Sequence, residues 1–398
     1  MLEGDDGPLC DEESLSGAVS AVRQQHAAEL EAARLAATAG PVQVRQYIRA
    51  LGERGRAQEF VAQQYAGRYA LELLQNADDA ASDRGVAGRV RFVVGKRSLI
   101  VADNGTGFGP DQVRALCTLG DSSKDRSKSI GYKGIGFKSV LEITDTPQIF
   151  SSEVDFGFDE ARTRDELRRM LGDQELGEVL IPAYAFPIEL HLSDAGLDAP
   201  IVARLQDDGY NTVVRLPFKA TRKLRSVVKT LTTTVTPRLL LLLRGLEELV
   251  VEGATDFSAT LLRESLGTST RCILQSGDDA LEEWLVYRKS HALGRDDPRP
   301  NDPQWRRTTA ISTAVAVRIV ADEPCPTSQP LHVYFPTEDR CGYPLILHAD
   351  WALDPDRRHL ARAVDFEAYN QLVTQHLVDD FTAVVVPDLI DRFGGSIG

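Results

Sequence analysis

One short stretch, residues 71–80, carries three polar side chains whose spacing suits a single chemical site. If LELLQNADDA is helical, Glu72, Asn76 and Asp79 fall within roughly 60° of one another around the helix axis. Leucine and alanine side chains then occupy the opposite side. Carboxylate and amide oxygens on one wall suit a nucleotide site with Mg²⁺, which prefers oxygen ligands. A solvated polar face is the alternative interpretation of this helix on its own.

Two glycine-rich stretches downstream favour the chemical site. The first, DNGTGFG, follows a predicted strand that ends at Asp103, and its glycines prevent regular structure. The second, GYKGIGFKSV, precedes a predicted helix start, where backbone N–H groups and the helix dipole can bind phosphate. Its lysines are candidate phosphate-binding cations or ordinary surface charges. The glycines and lysines in question are Gly105, Gly107, Gly131, Gly134, Gly136, Lys133 and Lys138.

The order of these stretches excludes two common nucleotide-binding patterns. A P-loop requires Gly-Lys-Ser/Thr after its leading glycine, and no such sequence follows here. A Rossmann fold places its glycines directly after the first strand. Here the second glycine-rich stretch follows a hydrophilic segment, GDSSKDRSKS, which is typical of a mobile loop.

Composition and charge narrow the class of protein. The 398 residues are 42% hydrophobic and 26% charged, which is ordinary for a soluble globular chain, and the length predicts two domains. The net charge of -14 argues against tight nonspecific binding to nucleic acid, which requires a cationic surface. Five widely spaced cysteines without a CxxC pair argue against a disulfide framework or a zinc site.

The sequence contains no targeting or membrane signal that we can identify. No apolar run reaches the roughly 20 residues that span a bilayer. The N-terminus, MLEGDDGPLCDEES, is acidic, unlike a secretory signal. We therefore expect a cytoplasmic protein that does not enter a membrane.

Hydrophobic periodicity predicts the elements that must position the site. Helices are expected around residues 42–51, from about residue 57, and over residues 71–80, followed by strands at residues 90–94 and 99–103. A short helix follows Pro110. Residues 212–218 are predicted to be a strand and residues 221–243 a helix. Beyond residue 246 the pattern is rich in strands, before a final helix over residues 364–377.

Four motifs in this order resemble those of the GHKL class of ATP-binding proteins, named for gyrase, the heat-shock chaperone, histidine kinases and the mismatch-repair MutL protein. They are ELLQNADDA, DNGTGFG, GYKGIGFKSV and NTVVRLPF. QQYAGRYALELLQNADDA, a Ser-Ser-Lys in the loop, and FPTEDRCGYPLILHADWALDPDRRHL are similar to the sacsin and NO VEIN type of ATPase region. The resemblance implies an α+β fold, with a Bergerat-type α/β sandwich that binds ATP and a second, strand-rich α/β domain.

The predicted domains follow from this resemblance. Residues 1–42 are expected to form an acidic and polar tail and helix, and residues 43–220 the ATP-binding domain with a lid at 109–130. A linking helix is expected at 221–245. Residues 246–398 then form the second domain, which ends in a helix.

The resemblance also implies roles for individual residues. Glu72 would be the general base that orients the attacking water, and Asn76 would bind Mg²⁺ through its amide oxygen. Asp103 and Thr212 would hold the adenine edge, and Asp79 would contact the backbone near the base or the lid. The other residues implied to bind the nucleotide are Gly105, Gly107, Ser123, Lys124, Gly131, Lys133, Gly134, Ile135, Gly136, Phe137 and Lys138.

GHKL hydrolases of the chaperone type complete their site with a cation from the second domain. In DPDRRHL, Arg357 aligns best with the Ser-Arg-Glu element of those proteins, and Arg358 is its neighbour. A guanidinium at the γ-phosphate would stabilise transition-state charge. This chain has Asp and Arg where Ser and Glu are common, and a surface loop paired with Asp354 or Asp356 is the alternative.

Three functions are compatible with these observations. Glu72, at a position where histidine kinases have an amide, favours slow Mg²⁺-dependent ATP hydrolysis that drives lid closure and dimerisation, in a chaperone-like or defence-associated module. The alternative is a nucleotide-gated sensor or scaffold module that binds ATP with little hydrolysis. DNA processing of the MutL type ranks third, because the net charge is negative. The expected partners are ATP, ADP, a second copy of the chain and an unidentified protein client.

Overall fold

Helices pack on both faces of one long mixed sheet in the part of the chain that the computed structural model describes. That part consists of residues 17–64, 67–118, 136–172, 176–219, 224–277, 279–300, 305, 308–320 and 329–394. Its α-helices are α1 (Gly17–Ala39), α2 (Pro41–Gln64), α3 (Tyr69–Arg84), α4 (Pro110–Cys117), α5 (Glu160–Leu171), α6 (Ala199–Asp207), α7 (Leu224–Thr234), α8 (Val364–Asp380) and α9 (Val386–Phe393). Shorter 3-10 helices lie at Gly136–Glu142, Ala183–Ala185, Leu192–Asp198 and Pro237–Leu241, and a π-helical turn at Phe381–Val385.

Fourteen strands in the described ranges form a single sheet. They are β1 (Gly88–Val94), β2 (Ser98–Asp103), β3 (Gln148–Ser151), β4 (Asp155–Gly157), β5 (Ile188–Glu189), β6 (Thr212–Pro217), β7 (Leu246–Glu252), β8 (Phe257–Ser265), β9 (Thr270–Ser276), β10 (Asp279–Ala292), β11 (Ala310–Ile319), β12 (Pro330–Val333), β13 (Phe335–Arg340) and β14 (Ile346–Ala349). Their order is β13-β12-β14-β11-β10-β9-β8-β7-β1-β2-β6-β3-β4-β5, with β1–β7 and β12–β14 parallel. The predicted α+β class is confirmed.

Strand β2 is buried on both faces, which explains its nearly continuous apolar sequence. Leu99 and Val101 pack in the core that includes α3. Ile100 and Ala102 pack in a second core, which includes residues of α6. Asp103, the last residue of the strand, is therefore a polar group at the end of an apolar layer.

The sheet continues across the boundary that the sequence predicts between the two domains. Strand β7 pairs in parallel with β1. Asp78 of α3 reinforces this junction, because its buried carboxylate accepts hydrogen bonds from the N–H groups of Arg244, Gly245 and Leu246. The domain boundaries stay a prediction.

Helix α2 is longer than predicted. The break expected before residue 57 does not occur, and the helix runs unbroken over Pro41–Gln64. A Cβ at Gly52 would lie 3.1 Å from Val179, and a Cβ at Gly55 would overlap the backbone of Leu180. These glycines therefore allow close packing against residues 179–180 rather than ending a helix.

The helix predicted over residues 221–245 is shorter than expected. Helix α7 covers Leu224–Thr234, and Pro237 begins a separate 3-10 helix. Proline lacks the N–H that a continuing helix would use, which explains the interruption. The leucines of residues 239–243 are all buried, so this apolar run packs in the core.

Some predictions fall on residues outside the described ranges. These include the N-terminal tail as far as residue 16 and residues 119–130 of the predicted lid. The described start of the lid forms α4. No helix in the described ranges is both long and apolar enough to cross a membrane.

Candidate active site

A cavity of about 330 Å³ lies where α3, α4 and the ends of β2 and β6 meet. Most of the predicted site residues that the structure describes line it. These are Glu72, Asn76, Asp103, Gly107, Gly136, Phe137, Thr212 and Arg357. Residues distributed over most of the chain thus converge on one concave site, which is the usual form of a ligand pocket.

Helix α3 turns Glu72 and Asn76 toward this cavity and Leu74 and Ala77 toward the core. Leu74 and Ala77 are fully buried in the main hydrophobic cluster, whereas Glu72 and Asn76 line the cavity. The helix ends at Gly85, whose φ of 69° forms a left-handed cap that glycine adopts without strain. The helical spacing predicted from the sequence therefore places the two polar side chains on the same wall.

Asp103 and Thr212 stand opposite each other in the antiparallel pair β2–β6, and both line the cavity. The N–H of Gly105 donates a hydrogen bond of 2.9 Å to the Asp103 carboxylate. Burial raises the pKa of Asp103 to about 7, although the Gly105 hydrogen bond acts in the opposite direction. This carboxylate therefore changes its charge near neutral pH and can accept a hydrogen bond from an amino group of a ligand.

The turn after β2 requires glycine at two positions. A Cβ at Gly105 would overlap Ala80, because the turn approaches α3 too closely for any side chain. Gly107 has a φ of 80°, in the left-handed region that favours glycine. Asn211 holds the turn by donating from its amide to the carbonyl of Gly105 at 2.8 Å.

The carboxylate of Glu72 belongs to a buried polar cluster that joins α3 to the distant Arg357. The Nη1 of Arg357 lies 3.2 and 3.4 Å from the two carboxylate oxygens, and it donates to Oε1 of Gln75 at 2.9 Å. Arg68 approaches from the other end: its Nε lies 3.9 Å from Glu72, and its Nη1 donates to the Arg357 carbonyl at 3.1 Å. All four residues are buried. The cluster fixes the position of the carboxylate through charge-assisted contacts.

A tight loop between β14 and α8 presents Arg357 to this cluster. Leu353 and Leu360 form an isolated antiparallel bridge at its base, and the N–H of Arg357 donates to the carbonyl of Asp354 at 2.8 Å. Arg357 has a φ of 58°, a left-handed conformation that residues with a side chain adopt at an energetic cost. Strained residues of this kind are common at functional sites, where surrounding contacts stabilise them.

Gly136 lies directly against Glu72. A Cβ at this position would overlap the Glu72 carboxylate, so the start of the 3-10 helix Gly136–Glu142 approaches the acid without a side chain between them. Phe137, the next residue, also lines the cavity. The main chain of the second glycine-rich stretch, GYKGIGFKSV, and the candidate base Glu72 therefore face the same space.

Four predicted residues that the structure describes, Gly105, Asp79, Lys138 and Arg358, do not line this cavity. Asp79 is buried and forms an ion pair with Arg244 at 3.2 Å. The guanidinium of Arg358 lies 3.5 Å from Glu338 at the surface. Lys138 is buried and lines a different cavity. The predicted ligands Ser123, Lys124, Gly131, Lys133, Gly134 and Ile135 lie outside the described residues.

The sequence interpretation missed Gln75 and Arg68. The helical wheel grouped Glu72 with Asn76 and Asp79, whereas the structure joins Glu72 to Gln75 through Arg357. A signal was present, because Gln75 is a polar residue in the apolar run LELLQ and Arg68 lies one helical turn before Glu72.

The amide oxygen of Asn76 could serve as one ligand of a divalent ion. Its half-buried amide lines the cavity and has no hydrogen-bond partner among the described residues. One amide oxygen is too small a set of ligands to retain Mg²⁺, and no group of three His, Cys, Asp or Glu residues in the described ranges could hold a metal. The residues present therefore fit an ion whose other ligands are phosphate oxygens and water.

Comparison with known proteins connects this site to one group. Residues 58–235 match the family described as Sacsin domain, a match that includes Glu72 and Thr212 and ends before Arg357. Over 314 residues, 76% of this chain, the sequence is 29% identical to Protein NO VEIN of Arabidopsis thaliana. The matched region is 11% of that relative's length, so the chain spans only a small part of it. These likenesses support a relation between this chain and sacsin- and NO VEIN-like proteins.

Proposed function

We propose that this chain binds ATP with Mg²⁺ and hydrolyses it slowly, as a GHKL ATPase module with a Bergerat-type ATP-binding fold. The observation that carries the proposal is the single cavity that joins Glu72 and Asn76 to the Asp103–Thr212 pair and to Arg357. The Sacsin domain match, which spans the first four of these residues, supports it.

The two ends of the cavity suit the two ends of a nucleotide. Asp103 and Thr212 provide a carboxylate and a hydroxyl that can pair with the amino group and ring of adenine. Glu72 and Gly136 meet at the other end, beside Arg357. We assign the phosphates to that end, with Asn76 as the protein ligand of the magnesium ion, which supplies charge neutralisation of the phosphates when bound.

Hydrolysis at this site needs a base and a cation, and the cluster holds both. A water molecule attacks the γ-phosphorus while the bond to the β–γ bridging oxygen breaks and ADP leaves with the electron pair. Glu72 accepts the proton of that water, a role for a carboxylate within hydrogen-bond reach of it. Arg357 breaks its contact with Glu72, binds the γ-phosphate oxygens and stabilises their negative charge.

The start of the predicted lid is part of the same cavity. Asp111, Gln112, Ala115 and Leu116 of α4 line it, so a bound nucleotide contacts this helix. We propose that ATP closes the lid at residues 109–130 and favours association with a second copy. The chain would then act as a chaperone-like or defence-associated module.

The contact between Arg357 and Glu72 favours a second candidate function. While this contact persists, Arg357 occupies the carboxylate oxygens that the attacking water requires. A protein that kept it after ATP binding would be a nucleotide-gated sensor or scaffold with little hydrolysis.

One pair of measurements tests the proposal and separates the two candidates. Phosphate release from ATP, with and without Mg²⁺, is compared with the affinity for a fluorescent ATP analogue. We expect Glu72→Ala to retain analogue binding and to lose about 10²- to 10⁴-fold in hydrolysis, the usual contribution of a general base. Glu59→Ala, an exposed acid on α2, is the matched control.

Each outcome has a distinct meaning. Analogue binding without Mg²⁺-dependent phosphate release supports the sensor function instead of the hydrolase. Equal hydrolysis by Glu72→Ala and the parent chain contradicts the general-base assignment. Absence of nucleotide binding contradicts both candidate functions.

A further inference from the structure

A second cavity, of about 240 Å³, lies next to the first. The two cavities share a wall: Leu116 and Phe137 line the first, whereas Cys117 and Lys138, their neighbours in sequence, line the second. Helices α1 and α2 and the 3-10 helix Ala183–Ala185 form the rest of its boundary. We call it the Lys138 cavity.

Lys138 brings a positive charge into this space, and its Nζ lies 5.6 Å from the centre of the Tyr184 ring. The residue is fully buried, and its Nζ donates to the carbonyls of Leu116 and Thr118 at 3.2 and 2.7 Å. No carboxylate among the described residues lies within ion-pair distance of it. Burial lowers the pKa of Lys138 to about 8, so the amine is still mostly charged at pH 7. An ammonium has three donors, and these two carbonyls leave one unused.

The nearest acid of the cavity is already neutralised by another cation. Glu29 accepts two hydrogen bonds from the guanidinium of Arg54, at 2.9 and 2.7 Å. The thiol of Cys117 cannot serve either, because burial raises its pKa to about 12 and keeps it uncharged. The charge of Lys138 is therefore not balanced by the titratable groups that line the cavity.

Two further donors of the cavity have no acceptor in the described part of the chain. The hydroxyl of Tyr184 is buried and makes no hydrogen bond there, and burial raises its pKa, which keeps the proton on the oxygen. Gln58 accepts the N–H of Tyr184 through its Oε1, and its amide N–H groups have no acceptor among the described residues. A buried hydroxyl normally has a partner, so the Tyr184 hydroxyl is available to an acceptor that enters the cavity.

We propose that the Lys138 cavity binds a small oxyanion, a phosphate or a carboxylate, whose negative charge balances Lys138 and whose oxygens accept from Lys138, Tyr184 and Gln58. The cavity is smaller than the range typical of drug-sized ligands, which suits an anion of a few atoms.

Thermal unfolding of the full chain tests this site. Inorganic phosphate and acetate are added separately in the millimolar range, with chloride at equal ionic strength as the reference. We expect saturable stabilisation by at least one oxyanion, and the two arms identify whether phosphate or carboxylate is preferred. Lys138→Met should abolish that stabilisation, whereas Lys229→Met, an exposed lysine on α7, should leave it intact.

Two more variants keep the test decisive. Tyr184→Phe preserves the packing of the ring against Phe137 and Phe158 and removes only the hydroxyl, so the fold should survive and anion affinity should fall about 2- to 10-fold. Arg357→Met removes the cation of the nucleotide cavity and should leave the effect intact. The proposal is overturned if neither oxyanion gives saturable stabilisation. It is also overturned if the stabilisation is lost in Arg357→Met and kept in both Lys138→Met and Tyr184→Phe. Neither result depends on whether the chain hydrolyses ATP.

Discussion

The guanidinium of Arg357 lies 3.2 Å from the carboxylate of Glu72, although 285 positions separate the two residues in the chain. Both side chains are buried, and Gln75 and Arg68 complete their surroundings. This contact joins helix α3 to the loop before α8. It therefore has consequences for stability as well as for chemistry.

Removing Arg357 should destabilise the protein strongly. Arg357→Ala removes the closer cation of the buried Glu72 carboxylate and leaves it the longer contact of 3.9 Å with Arg68. Breaking a buried ion pair of this kind costs about 3–5 kcal/mol in the free energy of unfolding. Arg358→Ala is the matched control, because its guanidinium meets Glu338 at the surface and such pairs contribute about 0–1 kcal/mol. Urea denaturation of both variants measures the difference. Equal stability of the two variants would show that the buried contact contributes nothing.

Gln75 should contribute to the free energy of unfolding through its contact with Arg357. Its Oε1 accepts the shortest of the three side-chain hydrogen bonds from the Arg357 Nη1, and hydrogen bonds to charged groups contribute about 1.5–3 kcal/mol. We expect a coupling of that size between Gln75→Leu and Arg357→Ala in a double-mutant cycle of unfolding free energies. Additive effects of the two substitutions would contradict the contact.

Gly136 should be intolerant of any side chain because of Glu72. The Cβ of Gly136→Ala would overlap the carboxylate and displace it from Arg357. We predict a loss of at least about tenfold in ATP hydrolysis, since small misplacements of catalytic groups are costly, with ADP affinity nearly unchanged. Gly95→Ala, where a Cβ would meet only ordinary contacts at 3.4 Å, is the control. Full activity of Gly136→Ala would show that Glu72 moves without consequence.

Asp103 should make nucleotide affinity depend on pH. Its pKa is raised to about 7, and a ligand that donates an amino proton to the carboxylate favours the ionised form and lowers that pKa. Affinity should therefore be constant above pH 8 and fall as the pH decreases below 7. The dissociation constant of an ATP analogue, measured from pH 6 to 8, shows this slope. The Asp103→Asn variant should bind the ATP analogue more weakly. Its affinity should keep only the pH dependence that arises from ionisation of the nucleotide itself.

Local periodicity predicted the parts of the site that lie on single elements. The apolar spacing around Glu72 and Asn76 placed both on one face of α3, and the alternation of β2 placed Asp103 at its end. These features depend on backbone geometry alone, which the order of apolar and polar residues reveals. The α+β class was implied by the family resemblance.

Local periodicity could not predict the contacts between distant segments of the chain. Hydrophobic patterns carry no information on which buried acid meets Arg357, and only the family resemblance singled that arginine out. Gln75 was missed because its burial depends on the loop that covers it. Lys138 was grouped with the phosphate ligands because it belongs to the glycine-rich motif GYKGIGFKSV. Packing against α1 and α2 decides which of the two cavities Lys138 lines, and local sequence patterns do not show that packing.

The parallel pairing of β1 with β7 limits the movements that nucleotide could drive. A rigid rotation of the C-terminal half about residues 235–245 would break the backbone hydrogen bonds of that pair and the three that Asp78 accepts. Force applied at one half is therefore transmitted to the other through a continuous, stiff sheet. The loop that carries Arg357 is itself bound to β13, because the N–H of Glu338 donates to the carbonyl of Arg358 at 2.7 Å. Arg357 can therefore follow the state of the nucleotide through its side chain while the two halves keep their relative orientation.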